Sequence, residues 1–225
     1  MKNLLVLTLL ISPVEYAILC MEHCGKSLRE LSKNGTLTVN KVASIIFQVL
    51  LGLAAAEALY EYEHRDLHMG NIMVRNTQKR TLTFVVNSKQ YHVDTDGIRA
   101  FIIDNTFARM RIGTVHFYTY LSDKLASLVS NDADPTKTHL QSAQDKVYVV
   151  MAHLARDNWA QWIPRTNLIW MRFVLDKLLS HMVPPNDKVE EAIEWELMQL
   201  KHKLENLRDL QDVLRSIRQN EILQS

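Results

Sequence analysis

The stretch EHRDLHMGNIMVR, residues 63–75, decides how the rest of this sequence is interpreted. Within eight positions it carries two histidines, an arginine, an aspartate and an asparagine, and it continues as NIMV, a run typical of a β-strand. Charged and polar side chains are costly to bury unless they are paired. Their crowding between a long apolar segment and a strand therefore indicates a functional site.

The bulk composition is that of an ordinary globular protein, with 225 residues, a net charge of +1 and 47% hydrophobic residues. This near-neutral balance argues against a dedicated nucleic-acid-binding protein, which usually has a basic excess. Cys20 and Cys24 are the only cysteines, too few for a four-cysteine zinc site or a disulfide framework. We therefore expect a reduced intracellular protein.

The N-terminal residues allow two interpretations. One lysine followed by an apolar run at residues 4–11 has the outline of a signal peptide. The run is too short to span a membrane, and its Leu, Val and Ile content with Pro13 after it favours a buried strand. We expect two short strands within residues 4–24, no signal peptide and no membrane association.

Apolar periodicity predicts the remaining elements. Residues 39–62 have the i, i+3, i+4 spacing of a largely buried helix, which Thr38 or Asn40 could cap. Strands are predicted at 71–76, 81–87, 89–94 and 97–104, and helices at 142–157 and 166–182.

Two further regions complete the prediction. Residues 111–144 are expected to be irregular. The tail at 187–219 is predicted as a pair of amphipathic helices, or one helix broken near Glu205, with an apolar stripe from Val189 to Ile217. Because the heptads are few, the stripe is expected to pack onto the domain rather than form a coiled coil.

Residues 64–71 have the form His-Arg-Asp-x-x-x-x-Asn, the catalytic-loop pattern of protein kinases. In that pattern Asp accepts the proton of the substrate hydroxyl and Asn holds magnesium. Phosphoryl transfer depends on positioning and on cations, and magnesium prefers hard oxygen ligands. Asp66 is therefore the candidate base and Asn71 a candidate metal ligand.

Two downstream aspartates extend the pattern. Asp104 ends the apolar strand FIID, 33 residues beyond Asn71, where kinases place their second metal-binding aspartate. That motif is normally Asp-Phe-Gly, whereas here it is Asp-Asn-Thr. Asp145 opens a predicted helix, where an aspartate of kinases braces the catalytic loop.

The histidines and the arginine of the loop have other interpretations. His64 and Arg65 belong with the catalytic residues, but we expect His64 to order the loop backbone and Arg65 to pair with a carboxylate. His64 and His68 also have H-x-x-x-H spacing. They follow the helix and have no Glu at the zinc-protease position between them, which disfavours zinc.

The same residues resemble one group of kinases. YEYEHRDLHMGNIMV, residues 60–74, is similar to the catalytic loop of haspin-type atypical serine/threonine kinases, in which His68 and Gly70 are distinctive. The haspin Asp-Tyr-Thr motif resembles the triplet from Asp104 to Thr106, and residues 162–179 resemble a further haspin segment. The resemblance runs from about Tyr16 to the C-terminal helices.

This resemblance implies an α+β, protein-kinase-like fold. Residues 1–24 would be a remnant of the small-lobe strands and the hinge, and residues 25–225 a mainly helical large lobe with short β-hairpins. ATP and Mg²⁺ would be the cofactors, with Asn71 and Asp104 as the metal ligands. The cofactor-binding residues implied are Glu22, His23, Cys24, Gly25 and Ser27 in the hinge, His68, Gly70, Asn71 and Asp104 in the centre, and Met73 below the adenine.

The resemblance also implies a biology. Haspin kinases act in the nucleus during mitosis and phosphorylate a threonine of a histone tail, so we expect a nuclear or cytoplasmic protein. The acidic residues with which the family binds this basic tail fall at Ser27 and Arg29 here. That substitution weakens the expectation of a histone substrate.

Several hypotheses remain open. The sequence has no G-x-G-x-x-G and no Val-Ala-Ile-Lys strand, which in kinases hold the ATP phosphates. The chain is a haspin-like kinase, a catalytically inactive binding module, or an incomplete gene model; a small-molecule phosphotransferase is a weaker fourth. We expect poor activity from these residues alone. We also expect poor solubility, because two strands leave an open sheet edge.

Overall fold

The computed structural model describes residues 6–11, 14–132 and 142–218, and for the first two strands the backbone alone. In this part of the chain seven helices combine with small antiparallel sheets in a mixed α+β architecture. The elements in chain order are β1 (Val6–Ile11), β2 (Val14–Leu19), β3 (Lys26–Ser27), α1 (Leu28–Lys33), α2 (Val39–Tyr60), β4 (Ile72–Asn76), β5 (Thr81–Val86), β6 (Lys89–Asp94), β7 (Ile98–Ile102), β8 (Met110–Ile112), β9 (Val115–Phe117), α3 (Ser122–Asp132), α4 (Ala143–Ala155), α5 (Arg165–Leu179), α6 (Lys188–Asn206) and α7 (Leu210–Arg218).

The strands form four small sheets. β1 pairs with β2, β5 with β6 and β8 with β9 as hairpins, and β3, β4 and β7 form a three-stranded sheet with β4 in the centre. In that central sheet Met73 lies opposite Phe101, and Ser27 lies opposite Met73 on the other side. The sheet therefore joins residues 26–27 directly to the strand that follows the loop of residues 64–71.

Helix α2 is the central element of the core. Its 22 residues begin after Thr38, whose hydroxyl accepts a hydrogen bond from the Lys41 amide at 3.4 Å. Of the two caps predicted, Thr38 is therefore the one used. By length and composition α2 could cross a membrane, but most of its apolar window is buried against β7, β5, α5, α6 and α7. Its apolarity is explained by packing within the domain.

The C-terminal tail is a pair of helices, as the sequence predicted. Helix α6 ends at Asn206, and Leu207 adopts an extended conformation before α7. The leucines of α6 and most apolar residues of α7 are buried against α2, which confirms packing onto the domain. Val189 does not share this environment, since its side chain is 68% exposed in the first turn of α6. There it borders an open cavity of about 800 Å³.

The expectation of irregular structure over residues 111–144 was wrong in two places. Met110–Ile112 and Val115–Phe117 form a short hairpin that turns at Gly113, and Ser122–Asp132 is a helix. Strands of three residues are too short to show alternation, and α3 is polar on average, so periodicity gave no signal for either. Residues 133–141 of the expected loop lie outside the described residues.

Candidate active site

The candidate site forms in the loop that connects α2 to β4. Glu61 ends α2 in the left-handed conformation, with φ of +47°, and the chain then turns into residues 62–71. At the far end of this loop the amide of Ile103 donates to the carbonyl of Asn71 at 3.0 Å. This contact continues the pairing of β4 with β7 and brings Asp104 beside Asn71.

Asp66 stands at the centre of a small hydrogen-bond network. The Tyr148 hydroxyl donates to its Oδ1, and Nε2 of His68 lies 3.8 Å from the same oxygen. The Asn71 amide nitrogen donates to the main-chain carbonyl of Asp66 at 2.9 Å, with a longer contact of 3.4 Å to Oδ2. Because the amide nitrogen faces Asp66, the amide oxygen of Asn71 is directed away from it. Oδ2 is the less engaged oxygen of Asp66.

Asp104 is held as an ionised carboxylate. Its backbone is left-handed, with φ of +64°. The amide and the hydroxyl of Thr106 both donate to Oδ1, at 3.1 and 2.5 Å. These hydrogen bonds hold the pKa of Asp104 below its usual range. Thr106 binds one oxygen only, which leaves Oδ2 of Asp104 for a cation.

The geometry fits a magnesium ion better than zinc. Asn71 and Asp104 offer hard oxygen atoms at the adjoining ends of β4 and β7, and magnesium in phosphate-transfer sites usually takes one or two protein ligands plus water and phosphate. Both ring nitrogens of His64 are already engaged, with the Ile103 carbonyl at 3.0 Å and the Asp66 amide at 3.3 Å. Throughout the described residues no group of three or more His, Cys, Asp or Glu is arranged to hold a metal.

His64 therefore ties the loop backbone to the strand that precedes Asp104. With its Nδ1 accepting from an amide, the neutral ring carries its proton on Nε2 and donates it to the Ile103 carbonyl. The ring is almost fully buried, and burial lowers the pKa of His64. A neutral imidazole suits both hydrogen bonds at once.

Arg65 is buried beneath the loop. Its guanidinium makes two hydrogen bonds to the Glu63 carboxylate, at 3.0 and 3.1 Å, and a third to the Trp159 carbonyl at 2.8 Å. Glu63 in turn accepts from the Thr166 hydroxyl and from the Ile163 amide. A buried ion pair is tolerated when hydrogen bonds satisfy all its atoms, as they do here. Arg65 is therefore a positioning residue, which anchors the loop to the segment before α5.

The brace expected from Asp145 is supplied by another residue. Asp145 is occupied at the start of α4, where it forms a capping box with Ser142. Asn167 of α5 braces the loop instead: its Oδ1 accepts from the His64 amide at 3.0 Å, and its Nδ2 donates to the Tyr62 carbonyl at 2.9 Å and to Glu57 at 2.8 Å. A buried asparagine among the apolar residues of α5 was the sequence signal for this role.

Glu57 links this brace to the C-terminal helices. Its carboxyl accepts from Asn167 and from the Leu210 amide, and it is 3% exposed. Burial raises the pKa of Glu57 to about 8. The group is therefore mostly protonated at neutral pH, which places a titrating carboxyl directly behind the loop.

The predicted hinge residues lie against β4. The Arg75 guanidinium bonds the Glu22 carboxylate at 2.9 Å and the His23 carbonyl at 3.2 Å. At Gly25 φ is +96°, and a Cβ there would lie 2.1 Å from the Val74 carbonyl oxygen, so only glycine allows this approach. The structure thus brings residues 22–27 together with Met73, and it adds Arg75, which the sequence had not indicated.

Tyr148 is a further residue that the sequence did not indicate. It is buried between Asp66 and Trp170, whose ring meets the tyrosine ring edge-on at 5.1 Å. Burial and the hydrogen bond to Asp66 both raise its pKa, so the hydroxyl remains a proton donor. It lies on α4, and no short motif connects it to the loop.

Comparison with known proteins agrees with this geometry. A family model described as haspin like kinase domain matches residues 12–224. A serine/threonine-protein kinase haspin homolog of Arabidopsis thaliana is 31% identical over 191 residues, which cover 84% of this chain and 29% of the relative. Haspin of Bos taurus is 28% identical, covering 83% of this chain and 23% of its own length. A haspin homolog of Schizosaccharomyces pombe is 25% identical, and the match covers 87% of this chain and 42% of the relative.

The chain thus spans less than half the length of these relatives. The family model, by contrast, covers nearly every residue of the chain, including the loop with Asp66 and Asn71 and the strand that ends at Asp104. This chain belongs to the family of haspin-like serine/threonine kinase domains.

Proposed function

We propose that this chain transfers the γ-phosphate of ATP to a serine or threonine hydroxyl of a protein. The observation that carries the proposal is the convergence of Asp66, Asn71 and Asp104 at the junction of α2, β4 and β7. These are the base and the two metal ligands that phosphoryl transfer needs. Asn71 and Asp104 would hold magnesium, and residues 22–27 with Met73 would hold the adenine.

Asp66 would receive the acceptor hydroxyl on Oδ2. Its Oδ1 already accepts from Tyr148, whereas Oδ2 has only a longer contact of 3.4 Å with the Asn71 amide nitrogen among the described hydrogen bonds. Because the Tyr148 hydroxyl and the side-chain amide of Asn71 orient the carboxylate before substrate arrives, the proton acceptor is preorganised. The bound magnesium would neutralise charge on the phosphate oxygens.

The proposal includes the organisation of the chain. Residues 1–24 would form the end of a small lobe and the hinge, and residues 25–225 the large lobe. The contacts of Arg75 with Glu22 and His23, and the close approach of Gly25 to Val74, support a hinge seated on the large lobe. A nuclear or cytoplasmic location and a protein substrate follow from the family membership as proposals.

A second candidate is a binding module without transfer activity. It is favoured by the contact between Tyr148 and Asp66, since a hydroxyl from the protein already occupies one oxygen of the base. Under this alternative the site would bind nucleotide and protein without reaction. The two candidates differ in one measurable quantity, the rate of phosphate transfer.

The deciding experiment is transfer of labelled γ-phosphate from MgATP to a pool of serine and threonine peptides, with nucleotide affinity measured by calorimetry. Asp66→Asn should lower the rate about 100-fold or more while nucleotide still binds. Asp104→Asn should lower both rate and nucleotide affinity. Asp145→Asn is the matched control, because that carboxylate only caps α4.

Nucleotide binding with no detectable transfer by either the unmodified chain or Asp66→Asn would favour the binding module. Transfer that survives Asp66→Asn unchanged would remove Asp66 as the base.

A further inference from the structure

Arg29 places a cation beside the catalytic loop. It is the second residue of α1, and its backbone amide donates to the Met69 carbonyl at 2.9 Å, which fixes the start of α1 against the loop. Its guanidinium carbon lies 3.7 Å from the point where a Cβ of Gly70 would stand. Gly70 follows Asp66 by four residues and directly precedes Asn71. The charge therefore lies beside the segment that joins Asp66 to Asn71.

No carboxylate neutralises this guanidinium among the residues that the structure describes. Its one side-chain contact there is a long hydrogen bond of 3.4 Å to the amide oxygen of Gln144. The neighbouring acidic groups have other partners: Glu30 pairs with Lys26 at 3.2 Å, and Asp145 caps α4. Arg29 is exposed, so a ligand can reach it.

A chain of hydrogen bonds connects Arg29 to the base. Gln144 accepts from Arg29 and donates to the Tyr148 hydroxyl at 3.4 Å, and Tyr148 donates to Asp66. Arg29 and Asp66 are thus separated by two side chains of α4. A peptide that presents its hydroxyl to Asp66 and runs along these side chains or across Gly70 meets the guanidinium.

The missing side chain at Gly70 shapes the same surface. A Cβ there would lie 2.8 Å from the His68 ring, so the ring and the guanidinium flank half-buried backbone instead of a side chain. In an extended peptide, a residue two or three positions from the acceptor lies about 7–10 Å away from it. Arg29 is connected to Asp66 by hydrogen bonds through only Gln144 and Tyr148, so a substrate residue at that spacing is the one that can meet the guanidinium.

Resting on the proposed transfer function, we infer that Arg29 selects protein substrates with an acidic or phosphorylated residue within three positions of the acceptor hydroxyl. The planar guanidinium forms paired hydrogen bonds with carboxylate and phosphate alike. A lysine or arginine at the same substrate position would be repelled.

The inference is tested by binding, which needs no turnover. Fluorescence anisotropy of the full 225-residue chain would use short labelled peptides with one central serine, in the presence of magnesium and a non-hydrolysable ATP analogue. One position between −3 and +3 is varied among Glu, phosphoserine, Gln and Lys. We expect the Glu and phosphoserine peptides to bind about three- to ten-fold more tightly than the Lys peptide at one or two positions.

Variants assign the preference to its residue. Arg29→Glu should reverse the order of affinities, and Arg29→Lys should keep the order with a smaller difference. Lys33→Glu makes the same change of charge one turn along the exposed face of α1 and should leave the order unchanged. Circular dichroism would verify that each variant is folded.

Equal affinities, or tighter binding of the Lys peptide by the unmodified chain, would overturn the inference. An effect of Lys33→Glu as large as that of Arg29→Glu would do the same, because it would reveal a diffuse field. Asp66→Asn separates the two claims: it should abolish transfer and keep the peptide preference. Transfer without any preference leaves the function standing and rejects the role of Arg29.

Discussion

The hydroxyl of Tyr148 donates a hydrogen bond to Oδ1 of Asp66, across 82 residues of sequence. Tyr148 lies on α4, and its ring packs edge-on against Trp170 of α5. The contact between these two helices therefore sets the position of the Tyr148 hydroxyl. The orientation of the candidate base thus depends on two helices that contribute no residue of the catalytic-loop motif. This dependence leads to the first prediction.

Tyr148→Phe removes the hydroxyl and keeps the ring packing. We expect the Asp66 carboxylate to lose its fixed orientation, which should lower the transfer rate constant about ten-fold with the KM for ATP unchanged. Steady-state kinetics would measure both constants. Tyr120→Phe is the control, because Tyr120 donates to the exposed Asp157. A rate constant unchanged in Tyr148→Phe would contradict an orienting role.

Asn167→Ala should lower the free energy of unfolding, because Asn167 is buried and braces the loop. The change leaves the His64 amide and the Tyr62 carbonyl without their partner, and both residues are buried. The expected loss in free energy of unfolding is about 2–4 kcal/mol, measured by urea denaturation. Asn206→Ala, at the exposed end of α6, should cost less than about 0.5 kcal/mol. Equal losses in the two variants would mean that the brace is not needed.

Glu57 should make stability depend on pH. The pKa of Glu57 is about 8 in the folded chain and 4.5 for the freely solvated side chain, so the folded state binds more protons between those pH values. Stability should therefore fall as pH rises from about 4.5 to 8, by a few kcal/mol in total.

Urea denaturation at several pH values would measure this loss. Glu57→Gln should flatten the profile, whereas Glu191→Gln, on the exposed side of α6, should leave it unchanged. A profile as steep in Glu57→Gln as in the unmodified chain would assign the dependence to another group.

Gly25→Ala should detach the hinge segment from β4. The new Cβ would meet the Val74 carbonyl oxygen at 2.1 Å, a contact that backbone atoms cannot relieve without moving. Gly35→Ala is a close control, since φ is +58° there and nothing lies within 4 Å. Gly35→Ala should lower the free energy of unfolding by about 1 kcal/mol, because a side chain disfavours the left-handed backbone at this position.

Gly25→Ala should cost at least about 2 kcal/mol and should also weaken nucleotide binding, measured by calorimetry. Equal costs in the two glycine variants would show that the close approach to β4 is not required.

Local patterns in the sequence predicted most of the elements. The periodicity of α2, the Thr38 cap, the strands β4 and β7 of the central sheet and the two C-terminal helices each depend on residues close together in the chain, so local sequence is enough to predict them. The short hairpin β8–β9 and the polar helix α3 carry too little local signal, and only the folded chain showed them.

The sequence by itself determined the family and the three residues of the candidate centre, Asp66, Asn71 and Asp104, because motif spacing along the chain encodes them. Tertiary structure alone decided what surrounds them: Tyr148 on the base, Asn167 behind the loop and Arg29 beside Gly70. The physical reason is that a buried polar group must find a partner wherever packing brings one. For His64 that partner is 103 residues away, beyond the reach of any local pattern.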